Sequence, residues 1–261
     1  MAYYAQRIPD QSVFRAQKGA RAHPLLLESR ENKERGVNIL EAGISGRNYY
    51  HREDNPPYMH RAPGAIPELY VREGVLLRLH LVNERLSTLG LMLHVFDAYR
   101  PVEVQNYFHD EWVPESLRKN NPEWSEDRIR AEVDMYWAKG FPTKEAVNPL
   151  SPPPHMTGGV VDLTLLRVGT KEEVYMGGNF DEVSPVSFAD YFEQEAEMRE
   201  LTLREGEART NRRILYFAMT EAGFVVHPNE WWHFGFGDQL SAKNAGLPHA
   251  VYSVLPIPLH E

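Results

Sequence analysis

The sequence contains no cysteine. Disulfide staples and thiolate ligands are therefore excluded, and any bound metal must be held by His, Asp and Glu. The same lack fits a reducing compartment without requiring one. Long apolar runs are also missing, since nothing approaches the ~20 consecutive apolar residues of a membrane-spanning helix. The opening stretch, MAYYAQRIPDQSVFRAQKG, has no apolar segment of the secretory kind. Positive charge is scarce, with 28 Lys+Arg against 37 Asp+Glu and a net charge of −9. That balance argues against broad nucleic-acid or anionic-membrane binding. The expectation is a soluble, cytoplasmic protein. Its 261 residues, without a long flexible linker, are expected to form one domain, with an N-terminal extension over 1–35 and a tail over 238–261.

Chemistry concentrates in the stretch SPPPHMTGGVVDLTLL, residues 151–166. His155 precedes Asp162, with Gly158 and Gly159 between them and a β-branched apolar run around the aspartate. The run reads as a buried strand. A carboxylate inside such a strand is costly unless paired, and a metal ion is one adequate partner. The glycines allow a sharp turn, and the three prolines ahead of His155 stiffen its approach. Taken alone, the pattern also describes a loop histidine and an aspartate bonded to a nearby turn. The second stretch, NEWWHFGFG over 229–237, sets Glu230 three residues before His233. His155, Asp162 and His233 then make a three-ligand zinc set with one position left for water, and Glu230 is free as a general base. In isolation, EWWH is equally an aromatic strand with a structural histidine. The two motifs together, in this order, favour the metal.

These residues carry a resemblance. His155-x-x-Gly158-x-x-x-Asp162 followed by Glu230-x-x-His233 resembles the D-alanyl-D-alanine dipeptidases, a branch of the zinc DD-peptidases. Matches continue in Asp97-Ala98-Tyr99-Arg100-Pro101, Met176-Gly177-Gly178-Asn179-Phe180-Asp181, Asn211-Arg212-Arg213 and Glu221-Ala222-Gly223-Phe224. The similarity spans residues 36–236. It implies one zinc per chain, a small D,D-dipeptide substrate, Glu230 as proton shuttle and Arg100 as the group polarising the scissile carbonyl. It also implies that Asp181 receives the substrate ammonium, although Asp181 reads equally as a turn cap. Pro153 stands where the family usually has Ser, and Val160 where it usually has Ala. The chain is also longer at both ends and near 110–125. Two rivals remain open: a peptidoglycan carboxypeptidase or endopeptidase with the same metal site, and a zinc-containing binding domain without catalysis.

The pattern predicts helices over 73–89, 102–111, 125–139, 188–203 and 207–222. Strands are expected over 37–44, 91–99, around Asp162, and in a hairpin of 224–226 with 232–236. Strands and helices interspersed in this way indicate an α+β fold, an antiparallel-rich sheet with packed helices, as the resemblance also implies. Since three is an odd offset on a strand, Glu230 and His233 can share a face only through a turn or bulge. Trp112, Trp124 and Trp137 are assigned to core packing. The basic arm over 1–35 is expected to be solvated and partly ordered, with surface packing through Leu25, Leu26 and Leu27.

Overall fold

The β-branched run around Asp162 forms the central strand of the protein. A computed structural model describes residues 3–137 and 139–257. Six strands are present among them: β1 (Gly36–Asn38), β2 (Tyr70–Arg72), β3 (Leu91–Asp97), β4 (Val160–Arg167), β5 (Val225–His227) and β6 (Glu230–Gly235). The last four form a sheet in the order β3-β4-β6-β5, antiparallel throughout, and β1 pairs with β2 separately. The α+β, antiparallel-rich architecture is as expected. Along β4, Val161, Leu163 and Leu165 enter the main core. Alternation turns Asp162 to the opposite face of the sheet, where the polar residues collect.

The helices are α1 (Ser12–Arg15), α2 (Glu73–Ser87), α3 (Val102–Tyr107), α4 (Val113–Asn120), α5 (Glu126–Tyr136), α6 (Tyr191–Met198), α7 (Leu203–Thr220) and α8 (Gln239–Asn244). Buried Val75, Leu79, Val82 and Leu86 line one face of α2 at helical spacing. Leu215, Ala218 and Met219 of α7 join them in the same core. Ser125 caps α5 by accepting from the Arg128 amide, as its position before two acidic residues predicts. α7 begins earlier than the apolar pattern indicates because Thr202 and Glu205 form a capping box. α6 is correspondingly shorter than the expected 188–203. The expected helix over 102–111 continues instead through a π-helical turn, Phe108–Trp112, into α4. Residue 138 of the expected 125–139 helix lies outside the described residues.

The N-terminal arm is not the solvated extension expected from its composition. Tyr3, Ile8 and Gln11 are buried, and Arg15 pairs with the buried Asp190 at 2.7 Å. Arg21 donates to the Ser151 carbonyl at 2.8 Å. Leu26, expected to pack, is exposed. Leu25 and Leu27 are half-buried, so the leucine contact is made in part, and polar anchoring to Asp190 and to the Ser151 carbonyl adds to it. The tail follows the body as expected: Ala250 bridges to Leu25, and Leu255 is buried with its amide on the Met156 carbonyl at 2.8 Å. Pro258 of that tail lies outside the described residues.

Candidate metal centre and catalytic pocket

Strand register assembles most of the site. Asp97 on β3 lies opposite Asp162 on β4, which lies opposite His233 on β6. His155 comes from a 3-10 turn, Pro154–Thr157, immediately ahead of β4. Gly158 ends that turn with φ of +67°, a conformation that favours glycine. Gly159 serves a different need, because a Cβ there would overlap the Phe236 carbonyl oxygen. The Glu230 side chain reaches the same centre because the β5–β6 pairing shifts register between Val226 and His227. The turn or bulge that the odd offset demands is met by this register shift at the hairpin end.

His155 Nδ1 lies 2.9 Å from the Ala98 carbonyl oxygen and 3.2 Å from Asp97 Oδ2. Donation by Nδ1–H to these acceptors leaves the Nε2 lone pair facing inward. Nε2 is 3.4 Å from His233 Nδ1 and 3.4 Å from Asp162 Oδ2, while His233 Nδ1 is 3.1 Å from Asp162 Oδ1. All three residues are buried, and their ligand atoms lie within 4.8 Å of one another. Tetrahedral zinc with bonds of about 2.0–2.1 Å separates its ligand atoms by about 3.3 Å. The observed spacings fit, and among the described residues buried Asp162 Oδ1 makes no well-formed hydrogen bond, its 3.1 Å neighbour being His233 Nδ1. His155, Asp162 and His233 could therefore hold a metal ion.

Glu230 Oε2 sits 3.2 Å from His233 Nδ1. Burial alone would lower the His233 pKa, but Asp162 and Glu230 outweigh it and raise it to about 10. Burial favours the neutral Glu230, yet His227 and His233 hold its carboxyl well below the usual range. Arg100 is buried three residues beyond the end of β3. It donates from Nε to Asp97 at 2.8 Å, to Gln105 Oε1 at 3.1 Å, and to the Tyr50 hydroxyl and Asp162 at 3.2 and 3.3 Å. Four of its five N–H donors are thus engaged. Asp181, at φ +58°, accepts the Tyr50 and Tyr58 hydroxyls at 2.7 and 2.8 Å. Burial and the charge of Asp162 raise its pKa to about 7, against the pull of Arg100 and the two hydroxyls.

These side chains face a pocket of about 190 Å³. That is smaller than the ~300–1,000 Å³ typical of drug-sized ligand sites, and suits a ligand the size of a small dipeptide. All six site residues expected from the sequence line it: Arg100, His155, Asp162, Asp181, Glu230 and His233. Pro154 lines it as well, whereas Pro153, at the position where the family pattern has serine, is buried and does not line the pocket. Several participants escaped the sequence reading. His227 lines the pocket with its Nδ1 3.8 Å from Glu230 and, among the described residues, without a hydrogen-bond partner. Its spacing, His227-x-x-Glu230-x-x-His233, was the available signal. Tyr50, Tyr58 and Gln105 had none, because only folding brings them to Arg100 and Asp181.

A family model described as D-ala-D-ala dipeptidase matches residues 69–252. A D-alanyl-D-alanine dipeptidase of Synechocystis sp. is 37% identical over 189 residues, covering 69% of this chain and 74% of that protein. A D-alanyl-D-alanine dipeptidase of Enterococcus faecium is 30% identical over 160 residues, covering 60% and 68% respectively. The solved structure of VanYB in complex with D-alanine-D-alanine covers 77% of this chain and 91% of its own, at 16% identity and a TM-score of 0.40. A superposition that loose carries no weight for fold or function.

Proposed function

This chain belongs to the D-ala-D-ala dipeptidase family of zinc metallopeptidases, and on that premise we propose how its own residues hydrolyse D-alanyl-D-alanine or a closely related D,D-dipeptide. One observation carries the reading. Three ligand atoms, a carboxylate 3.2 Å from one of them, and a buried arginine converge on one small pocket.

His155, Asp162 and His233 would hold one zinc ion. When bound, zinc acts as a Lewis acid towards the scissile carbonyl and makes water acidic enough to attack near neutral pH. Glu230 takes a proton from the attacking water and returns it to the leaving amine. The Arg100 N–H not already engaged donates to the developing oxyanion. Asp97 keeps His155 and Arg100 oriented, through contacts at 3.2 and 2.8 Å. Asp181 accepts the substrate ammonium, and the Tyr50 and Tyr58 hydroxyls support its carboxylate. The whole of 1–261 acts as one domain in this reading. Its work in the cytoplasm is supported by the absence of cysteine and, among the described residues, of any helix long and apolar enough to cross a membrane.

Glu230→Gln tests the reading. It should retain zinc while kcat for D-alanyl-D-alanine falls by about 10²–10⁴, the usual worth of a positioned acid–base group. Full turnover in this variant, or loss of its metal, would show that Glu230 has another role.

A further inference from the structure

Beside the catalytic pocket lies a much larger cleft of about 1050 Å³. The two share Trp137, Asp181, Glu182 and Val183 as lining. They therefore meet at the Asp181 end of the site, away from His227 and Glu230, which line only the small pocket. One wall of the cleft comes from the segment near 110–125, through Trp112 and Trp124, with Tyr58 lining it as well. Trp112 and Trp124 are partly buried and pack against the core as assigned, while their remaining surface lines the cleft.

The charge of the cleft is one-sided. Asp181, Glu182, Glu132 and Glu173 line it, against Arg52 and Arg204. Arg52 is bonded to Asp54 and Arg204 to Glu207, neither of which lines the cleft. Among the described residues neither Glu132 nor Glu173 forms an ion pair. Aromatic faces beside carboxylates that no direct ion pair satisfies, with Arg52 acting on Glu173 only at longer range, suit a long aliphatic chain ending in a cation.

We propose that this cleft is a subsite for the first residue's side chain, and that it takes a long cationic one. The proposal rests on the dipeptidase reading in one respect: the substrate ammonium must sit on Asp181. With the ammonium there, the first residue's α-carbon lies at the junction of the two cavities. A methyl side chain would leave the cleft unused, whereas a lysine-length chain extends into it. An N-acylated or longer peptide would instead bring no ammonium to Asp181.

The test measures binding to zinc-loaded Glu230→Gln protein and turnover by the wild type. The ligands are D-lysyl-, D-norleucyl- and D-alanyl-D-alanine, with N-acetyl-D-alanyl-D-alanine as the peptide-like control. Norleucine matches lysine in length and lacks its charge. The lysyl dipeptide should bind about tenfold tighter than the norleucyl one, the combined worth of a partly exposed ion pair and a cation–π contact. Wild-type kcat/KM should follow the same order. Glu132→Gln with Glu173→Gln should erase that preference and leave kcat/KM for D-alanyl-D-alanine unchanged. Equal affinity for the lysyl and norleucyl ligands, or rejection of both while the alanyl dipeptide binds, would overturn the subsite. So would tightest binding of the N-acetyl control, which would assign the cleft to longer peptides. If no dipeptide is turned over but the lysyl preference in binding persists, the subsite stands and the dipeptidase reading falls.

Discussion

Replacing Arg72 by Met should loosen the metal turn from a distance. Arg72 is fully buried, and its guanidinium reaches six oxygens drawn from three parts of the chain. It contacts the Thr157 carbonyl at 2.8 Å, two residues from His155. From the N-terminal arm come Asn32 O at 2.7 Å, Glu34 O at 3.1 Å and Asn32 Oδ1 at 3.2 Å, and from the tail Ser253 O at 2.9 Å and Val254 O at 3.3 Å. Among the described residues no carboxylate bonds to it, and burial lowers its pKa to about 10. Counting the contacts at 3.2 and 3.3 Å as weak leaves four good ones. A hydrogen bond from a charged donor is worth about 1.5–3 kcal/mol, and methionine can satisfy none of these acceptors. Desolvation of the guanidinium opposes that gain, so the net loss should be about 3–5 kcal/mol. In a chain of this size that corresponds to a fall in Tm of about 6–20 °C. Thermal unfolding of the zinc-loaded protein measures the loss, and chelator competition measures zinc affinity, which should fall because the His155 turn has lost an anchor. An unchanged Tm would refute the argument. A lowered Tm with unchanged zinc affinity would limit Arg72 to joining the termini.

His155→Ala and His233→Ala should each lose bound zinc, and metal analysis showing wild-type content in both would rule out the ligand set. Arg100→Ala should lower kcat by about 10²–10³ if its free donor serves the oxyanion, whereas a pure KM effect would place it on the ground-state substrate. Asp181, with its pKa raised to about 7 chiefly by burial, loses its charge as pH falls through that value, so KM for D-alanyl-D-alanine should rise on the acid side. Asp181→Asn should raise KM at pH 8 and abolish that acid limb. Because the folded pKa exceeds an unfolded value of about 3.9, the stability that Asp181 contributes should be lost as pH rises from about 4 to 7, and the stability difference between wild type and Asp181→Asn, read from a pH series of melting curves, should shift against the wild type over that range.

Local sequence determined much of this protein. The period of apolar residues specifies α2, alternation and β-branching specify β4, and Ser125 marks a helix start through its own side-chain acceptor. The three candidate metal ligands and Glu230 were legible because each motif holds its residues at short spacing. The odd offset between Glu230 and His233 called for a turn or a bulge, and the β5–β6 register shifts beside His227 where Glu230 leaves the turn. Long-range geometry was not legible. Nothing local says that Asp97, Asp162 and His233 face one another across three strands, because register is settled by pairing segments far apart in the chain. The same holds for the two tyrosine hydroxyls on Asp181 and for the arm and tail gathered by Arg72. A basic, polar arm looks solvated until buried acceptors such as Asp190 and the Ser151 carbonyl are found beneath it. Residue type fixes what chemistry a side chain can do, but only tertiary packing decides which partner desolvates it and meets its hydrogen bonds.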